Sequence, residues 1–227
     1  MKVVLIAPTI NEVEGLRWTL PRLDKNIINE IIVADRNSTD GTVEYCKENG
    51  YRVYHQQSRG YGNAVMEVIA MTDSDIIVEL CPDGSSIPER VPDLIAKINE
   101  GYDLVVASRY KDGAKSYDDD AITRLGNWFF TKLINILFHA RYTDVLVGFR
   151  AYRRSAYNSI GMNTPAWAWT AQQAIQFAKA GLKVAEIGVD EPARIGGKRK
   201  MSPFKSGMEI LRVIIKEFLA GKRFAKV

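Results

Sequence analysis

The chain has 227 residues, 46% of them apolar, which is enough for one domain with a substantial core and too few for two comfortable ones. Its 31 basic residues against 27 acidic ones leave a formal charge of +4; attraction to polyanions must therefore come from local clusters, and without interleaved basic and aromatic residues no nucleic-acid partner is expected. No apolar run approaches the roughly 20 residues of a membrane-spanning helix, and Cys46 and Cys81 fit no zinc spacing.

The opening MKVVLIAP lacks the long apolar core and cleavage site of a secretory signal and reads as a buried strand at 3–8. That reading predicts a reducing, cytoplasmic setting without a structural disulfide. Runs of Val, Ile and Leu at 30–35, 51–56, 75–80, 103–108 and 184–189 predict further strands, with helices at 12–20, 40–49, 62–71 and 88–99. This alternation predicts an α/β fold, a parallel sheet covered on both faces. Later, 124–139 and 208–219 repeat apolar residues at helical spacing: Phe130, Leu133, Ile134, Leu137 and Phe138, then Leu211, Ile214, Ile215, Phe218 and Leu219. Packing on the sheet is the plainer reading of both. Trp128 with its neighbouring phenylalanines, flanked by Lys132 and Lys216, also suits a helix lying in a membrane interface.

In sheets of this class ligands bind beyond the carboxyl ends of the strands. The turns PTINE (8–12), DRNSTDGT (35–42) and CPDGSSIPE (81–89) fall there. One polar turn is ordinary chain-reversal chemistry; three at one edge predict a site. Glu12 and Asp35 can accept hydrogen bonds from a base N–H or a ribose hydroxyl. Asp83 is a hard oxygen ligand for Mg2+ or Mn2+ bridging diphosphate oxygens. Gly60, beside Arg59 and ahead of Gly62, lets backbone approach a ligand closely at the start of a helix. The basic cluster Arg194, Lys198, Arg199 and Lys200 reads either as a solvated loop or as a phosphate contact. Asp118, Asp119 and Asp120 precede a helix, where capping and the helix dipole account for them. His55 and His139 are too isolated for zinc or a catalytic dyad, and Trp167 and Trp169 suit either core packing or stacking on a sugar or isoprenoid.

Taken in order, PTINE (8–12), DRNSTDGT (35–42), RGYGNA (59–64), PDGSSIPE (82–89), ASRY (107–110), DVLVGFRAYR (144–153) and RIGGKRK (194–200) resemble family 2 glycosyltransferases. The similarity is greatest to the dolichol-phosphate mannose synthase-like and polyprenyl-phosphate glycosyltransferase branch, over about residues 3–200. The resemblance implies a GT-A (Rossmann-like) domain over 1–203, followed over 204–227 by an amphipathic C-terminal helix and basic tail suited to a membrane interface. It implies an inverting, metal-dependent enzyme that transfers a sugar from a nucleotide diphosphate-sugar to a polyprenyl (dolichyl or undecaprenyl) phosphate at the cytoplasmic membrane face. Extension of a cell-surface glycan, or a catalytically weakened nucleotide-sugar-binding protein, are the alternatives. A homo-oligomer or a separate membrane partner is compatible with it.

Carried over by position, Pro8, Asn11, Glu12 and Asp35 line the nucleoside pocket with Gly60 beside them, and Asp83 holds the metal. Arg109 meets the acceptor phosphate, with Arg124 as a second candidate, and Arg194 and Lys200 resemble a basic pair over the donor diphosphate. A phosphate acceptor is already a nucleophile and requires no dedicated base. Three positions depart from the pattern. Cys81, a soft thiol, stands where the first of two aspartates is usual, and Glu79, on the same side of an extended strand, is the candidate to replace it. Arg36 replaces the second acidic residue after Asp35. The amides of TAQQ (170–173) stand where many relatives carry an acid, which favours a phosphate over a polyol acceptor.

Overall fold

The computed structural model describes residues 1–196 and 201–221. Its strands are β1 (Val3–Thr9), β2 (Glu30–Asp35), β3 (Arg52–His55), β4 (Ile76–Glu79), β5 (Leu104–Ser108), β6 (Arg150–Arg153) and β7 (Val184–Gly188). The helices are α1 (Val13–Thr19), α2 (Thr42–Glu48), α3 (Tyr61–Ala70), α4 (Val91–Asn99), α5 (Ala121–Phe138), α6 (Arg154–Asn158), α7 (Trp169–Lys179) and α8 (Pro203–Leu219). Among the described residues the strands form one sheet in the order β3-β2-β1-β4-β6-β5-β7. Every neighbouring pair is parallel except those that β6 makes with β4 and β5. The apolar runs of β1, β2, β4 and β5 are buried throughout because helices cover both faces. The fold is the mostly parallel, helix-flanked sheet expected, with a C-terminal helix.

Three elements escaped the sequence reading, each for a physical reason. β6 begins and ends with arginine and has no apolar run; its Arg150 lies opposite Glu79 across the antiparallel pair and is fully buried. Its guanidinium donates to the carbonyls of Val145, Val147 and Thr170 and to Gln173 Oε1, so an interior cation is completely enclosed by acceptors. α6 is only a five-residue turn. α7 is buried from Trp169 through Phe177 and therefore shows no amphipathic stripe. The TAQQ amides lie inside this helix and serve its packing, while Thr170 at its start lines a cavity. Gln173 serves Arg150, while Gln172 accepts from the N–H groups of Asn163 and Thr164 and donates to Glu217 of α8 at 2.9 Å.

The two amphipathic segments pack against each other. Phe138 of α5 meets Phe218 of α8 edge to face, and Glu217 is tied to Gln172, Gln176 and Lys179 of α7. Their outer faces stay apolar: Ile122, Leu125, Trp128 and Phe129 on α5 and Phe204, Ile215, Phe218 and Leu219 on α8 are exposed. Among the described residues no helix is long and apolar enough to cross a membrane.

Candidate active site

With β6 reversed, the carboxyl ends of the other strands and the start of β6 share one edge of the sheet, and two adjoining cavities open there. The larger, about 350 Å³, is lined by Pro8 and Thr9 at the end of β1 and Glu12 after it, by Gln56, Arg59, Gly60 and Tyr61 around the start of α3, and by Cys81 and Asp83 after β4. Its shape comes from ties between turns. Asn11 donates its N–H to Ser38 Oγ at 2.8 Å and accepts from the Thr39 N–H at 2.7 Å, joining the first two turns. Asn11 is thus a positioning residue beside the cavity, where sequence reasoning had it in the wall.

Asp35 lies under the same cavity. Its strand partner Thr9 and the Gln56 N–H that bonds its carbonyl at 2.8 Å both belong to lining residues. One carboxylate oxygen accepts from the Ser38 N–H at 3.2 Å, whereas Oδ1 is buried without a hydrogen-bond partner among the described residues. A buried acceptor left in that state is costly, and a ligand donor relieves it.

Gly60 lines the larger cavity at the start of α3 and also serves the packing behind it. Its φ of +120° favours glycine, and a Cβ there would lie 2.2 Å from the Pro165 carbonyl oxygen; at Gly62 a Cβ would lie 2.0 Å from that of Thr164. The two glycines let the 164–165 segment lie against α3. This seats Trp167 on Tyr61, the rings stacked with centroids 4.9 Å apart and planes inclined by 22°. Tyr61 in turn donates to Glu79 at 2.9 Å. Trp169, by contrast, is core: it is fully buried and donates its indole N–H to Glu79.

Glu79 does not replace the missing aspartate. Its side chain is wholly buried and accepts from Tyr61, Tyr152 and Trp169, so the carboxylate is enclosed by interior donors and has no open position for a metal. Burial raises its pKa against the opposing pull of Arg150. Burial likewise raises the Cys81 thiol well above its ordinary value, with Asp83 and Glu191 adding to the effect, which keeps it protonated at neutral pH.

The smaller cavity, about 130 Å³, is lined by Arg109 after β5, Asp118 and Asp119, Thr123 and Asn127 of α5, Thr170 of α7, Glu191 after β7 and Ile210 of α8. Arg109 is anchored rather than free. Nε and Nη2 fork onto Asp144 at 2.6 and 3.0 Å, and Nη1 reaches Asp119 and Glu191 at 3.2 and 3.3 Å. Burial opposes its charge, but Asp144 and the other acids outweigh it and hold the guanidinium cationic. Burial also raises Glu191, with Arg109 opposing. The acidic run divides by role: Asp120 caps α5, accepting from the Thr123 N–H at 2.7 Å, while Asp118 and Asp119 turn into the cavity. Arg124 is exposed and lines neither cavity, because helical geometry turns Thr123 and Asn127 inward instead, and its expected acceptor contact does not hold. Sequence reasoning missed Tyr61, Asn127 and Glu191; Glu191, just past the end of β7, was accessible to the same strand-end argument that found Asp83.

Cys81, Asp83, Trp167 and Arg194 line both cavities and form their common wall. Asp83 accepts from the N–H and hydroxyl of Ser85 through Oδ1 and pairs through Oδ2 with Arg194 Nη2 at 2.8 Å. Among the described residues no group of three or more His, Cys, Asp or Glu could hold a metal by itself. A single carboxylate such as Asp83 fits the usual binding of Mg2+ or Mn2+, in which substrate phosphates and water complete the coordination, although Arg194 already pairs with one of its oxygens. Lys200 lies outside the described residues.

The glycosyl transferase family 2 profile matches residues 4–161. The chain is 30% identical to the dolichyl-phosphate hexose transferase of Haloferax volcanii, over 94% of this chain and 92% of that protein. It is 27% identical to the undecaprenyl-phosphate mannosyltransferase of Micrococcus luteus, over 94% and 93%. In fold it resembles glucosyl-3-phosphoglycerate synthase from Mycobacterium tuberculosis, solved in complex with Mn2+, UDP-glucose and phosphoglyceric acid: the TM-score is 0.72 at 18% identity, covering 96% of this chain and 79% of that one.

Proposed function

Starting from its membership of glycosyl transferase family 2, we propose that this chain moves a hexose from a nucleotide diphosphate-sugar to a polyprenyl phosphate, inverting the anomeric centre, with Mg2+ or Mn2+ at Asp83. The observation that carries the reading is the pair of cavities meeting along Asp83 and Arg194, one suited to a nucleotide and the other to an acceptor. The names of the two relatives support a lipid phosphate acceptor, and the Mn2+ and UDP-glucose of the solved neighbour support a metal-bound donor.

In this reading Pro8, Glu12 and the unpartnered oxygen of Asp35 receive the nucleoside, and Asn11 and Gly60 hold the turns around it. Asp83 would hold the metal, which when bound would supply positive charge to the diphosphate. Arg194 faces that diphosphate. Arg109, fixed by its fork to Asp144 and lining the smaller cavity, sets its positive charge toward the acceptor phosphate. A phosphate oxygen attacks the anomeric carbon from the acceptor side as the bond to the diphosphate breaks on the donor side. The nucleoside diphosphate leaves with the electron pair, and no proton has to be removed. Alignment across the common wall and charge stabilisation supply the rate.

Thr123 and Asn127 of α5 and Ile210 of α8 line the acceptor cavity, and the same two helices carry the exposed apolar faces. An isoprenoid chain reaching the cavity from the cytoplasmic face of a bilayer fits that arrangement. The test is nucleoside diphosphate release from UDP- and GDP-hexoses with Mn2+ and a short-chain polyprenyl phosphate. Release that needs both metal and lipid phosphate is expected; turnover on soluble sugars with none on the lipid would defeat the reading. A hydroxyl acceptor on a glycan is the second reading, favoured by Asp118, Asp119 and Glu191 outnumbering Arg109 and Arg194 in the acceptor cavity. Glu191, its pKa raised by burial, would then take the hydroxyl proton, and competition between the two acceptors separates the cases.

A further inference from the structure

Arg194 occupies an unusual position for a residue assigned to a diphosphate. Nη2 lies 2.8 Å from Asp83, Nη1 3.7 Å from Glu12 and Nε 3.8 Å from Asp118. The three carboxylates come from three separate turns, and the guanidinium sits among them in the wall shared by both cavities. The chain around it is docked as well. The Arg194 N–H reaches Asp118 at 3.4 Å, and the next residue, Ile195, donates its N–H to the Asp83 carbonyl at 2.8 Å. The Ile195 side chain lies over Gly84, where a Cβ would come within 2.7 Å of it. The arginine is therefore placed by backbone contacts and is not swinging freely in solvent.

The consequence follows from charge. Asp83 is the single carboxylate offered to a metal, and one of its oxygens already faces a cation. A divalent ion arriving alone has to take that oxygen from the guanidinium, giving up its shortest ion pair, and then sit beside a cation that Glu12 and Asp118 hold only at 3.7 and 3.8 Å. A nucleoside diphosphate changes the balance, because its oxygens are acceptors for Arg194 and ligands for the metal at once. We propose that Arg194 is a built-in counter-cation that keeps free divalent metal off Asp83 until a nucleoside diphosphate binds, so that metal and nucleotide load together. This deepens the reading of Asp83 as the metal position and rests on it. It makes Arg194 a positioning residue in the donor-free protein as well as a diphosphate contact in the loaded one.

The test follows binding, not turnover. Mn2+ is titrated into the full chain and into Arg194→Met and Arg194→Lys, alone and with UDP or GDP, and free Mn2+ is read from its electron paramagnetic resonance signal. The wild type should bind Mn2+ weakly alone and far more tightly with one of the nucleotides. Arg194→Met should bind Mn2+ alone roughly tenfold more tightly than the wild type and lose most of the nucleotide enhancement. Arg194→Lys, which keeps the charge, should stay near the wild type. If Arg194→Met binds Mn2+ alone no better than the wild type while both bind it with nucleotide, the counter-cation is refuted and the metal reading stands. If the wild type takes up no Mn2+ with either nucleotide, the metal reading itself fails and the counter-cation falls with it.

Discussion

The two cavities are built by opposite means. The donor side is built largely on strand ends: its turns follow directly on β1, β2 and β4, and its polar groups are arranged by ties within and between those turns, such as Asp83 to Ser85 and Asn11 to Ser38. The acceptor side is assembled from a distance. Arg109 is held by Asp144, Asp119 and Glu191, the last of them 82 residues away, and the walls come from α5, α7 and α8. The donor side carries Asp83 and Asp35 on strand ends and turns held mainly by backbone, whereas the acceptor side carries its chemistry on a buried ionic network around Arg109. Chemistry and stability should therefore separate on one side and fail together on the other.

The largest effect should come from the donor side without unfolding. Asp83→Asn keeps an oxygen for Ser85 but weakens the metal position; kcat/KM for nucleoside diphosphate release should fall roughly 1000-fold, while the urea midpoint stays near the wild-type value. Loss of folding in that variant would break the contrast.

On the acceptor side, Arg109→Met leaves Asp144 buried and unpaired. It should lower unfolding free energy by about 3–5 kcal/mol in urea titrations, with activity lost alongside. Acid sharpens the same point. Burial pushes the Asp144 pKa up, but Arg109 more than reverses this and holds it below its ordinary 3.8. A depressed carboxylate stabilises the fold above its unfolded pKa, and the contribution fades as pH falls through the folded value. As pH falls below about 4 the wild type should lose stability more steeply than Asp144→Asn, which is weaker at neutral pH but has no such charge to lose.

A smaller effect is expected at Asp35. Asp35→Asn should weaken nucleoside diphosphate binding roughly tenfold by calorimetry and leave folding stability unchanged or slightly higher, since it removes a buried charged oxygen that lacks a donor. The smallest concerns the exposed apolar faces of α5 and α8. Leu125→Glu combined with Leu219→Glu should reduce co-sedimentation with anionic vesicles severalfold, with turnover on a short-chain acceptor unchanged. Undiminished sedimentation would remove these helices from any membrane contact.

The sequence by itself determined most of the sheet, because a strand covered on both faces must be apolar throughout and declares itself as a run. It also determined the turns that hold Glu12, Asp35 and Asp83, since Asp, Asn, Ser and Gly at a strand end are read locally. Only the tertiary structure decided what depends on distant partners. Arg150 and Glu79 look like surface charge in sequence, yet each is buried among acceptors or donors from other elements. α7 is invisible to periodicity because it is buried on every side. Which of Asp118, Asp119 and Asp120 caps a helix and which faces a cavity, and that Arg194 rests on Asp83, are settled by packing: a charge in the interior is defined by the groups that surround it, and those are neighbours in space and not along the chain.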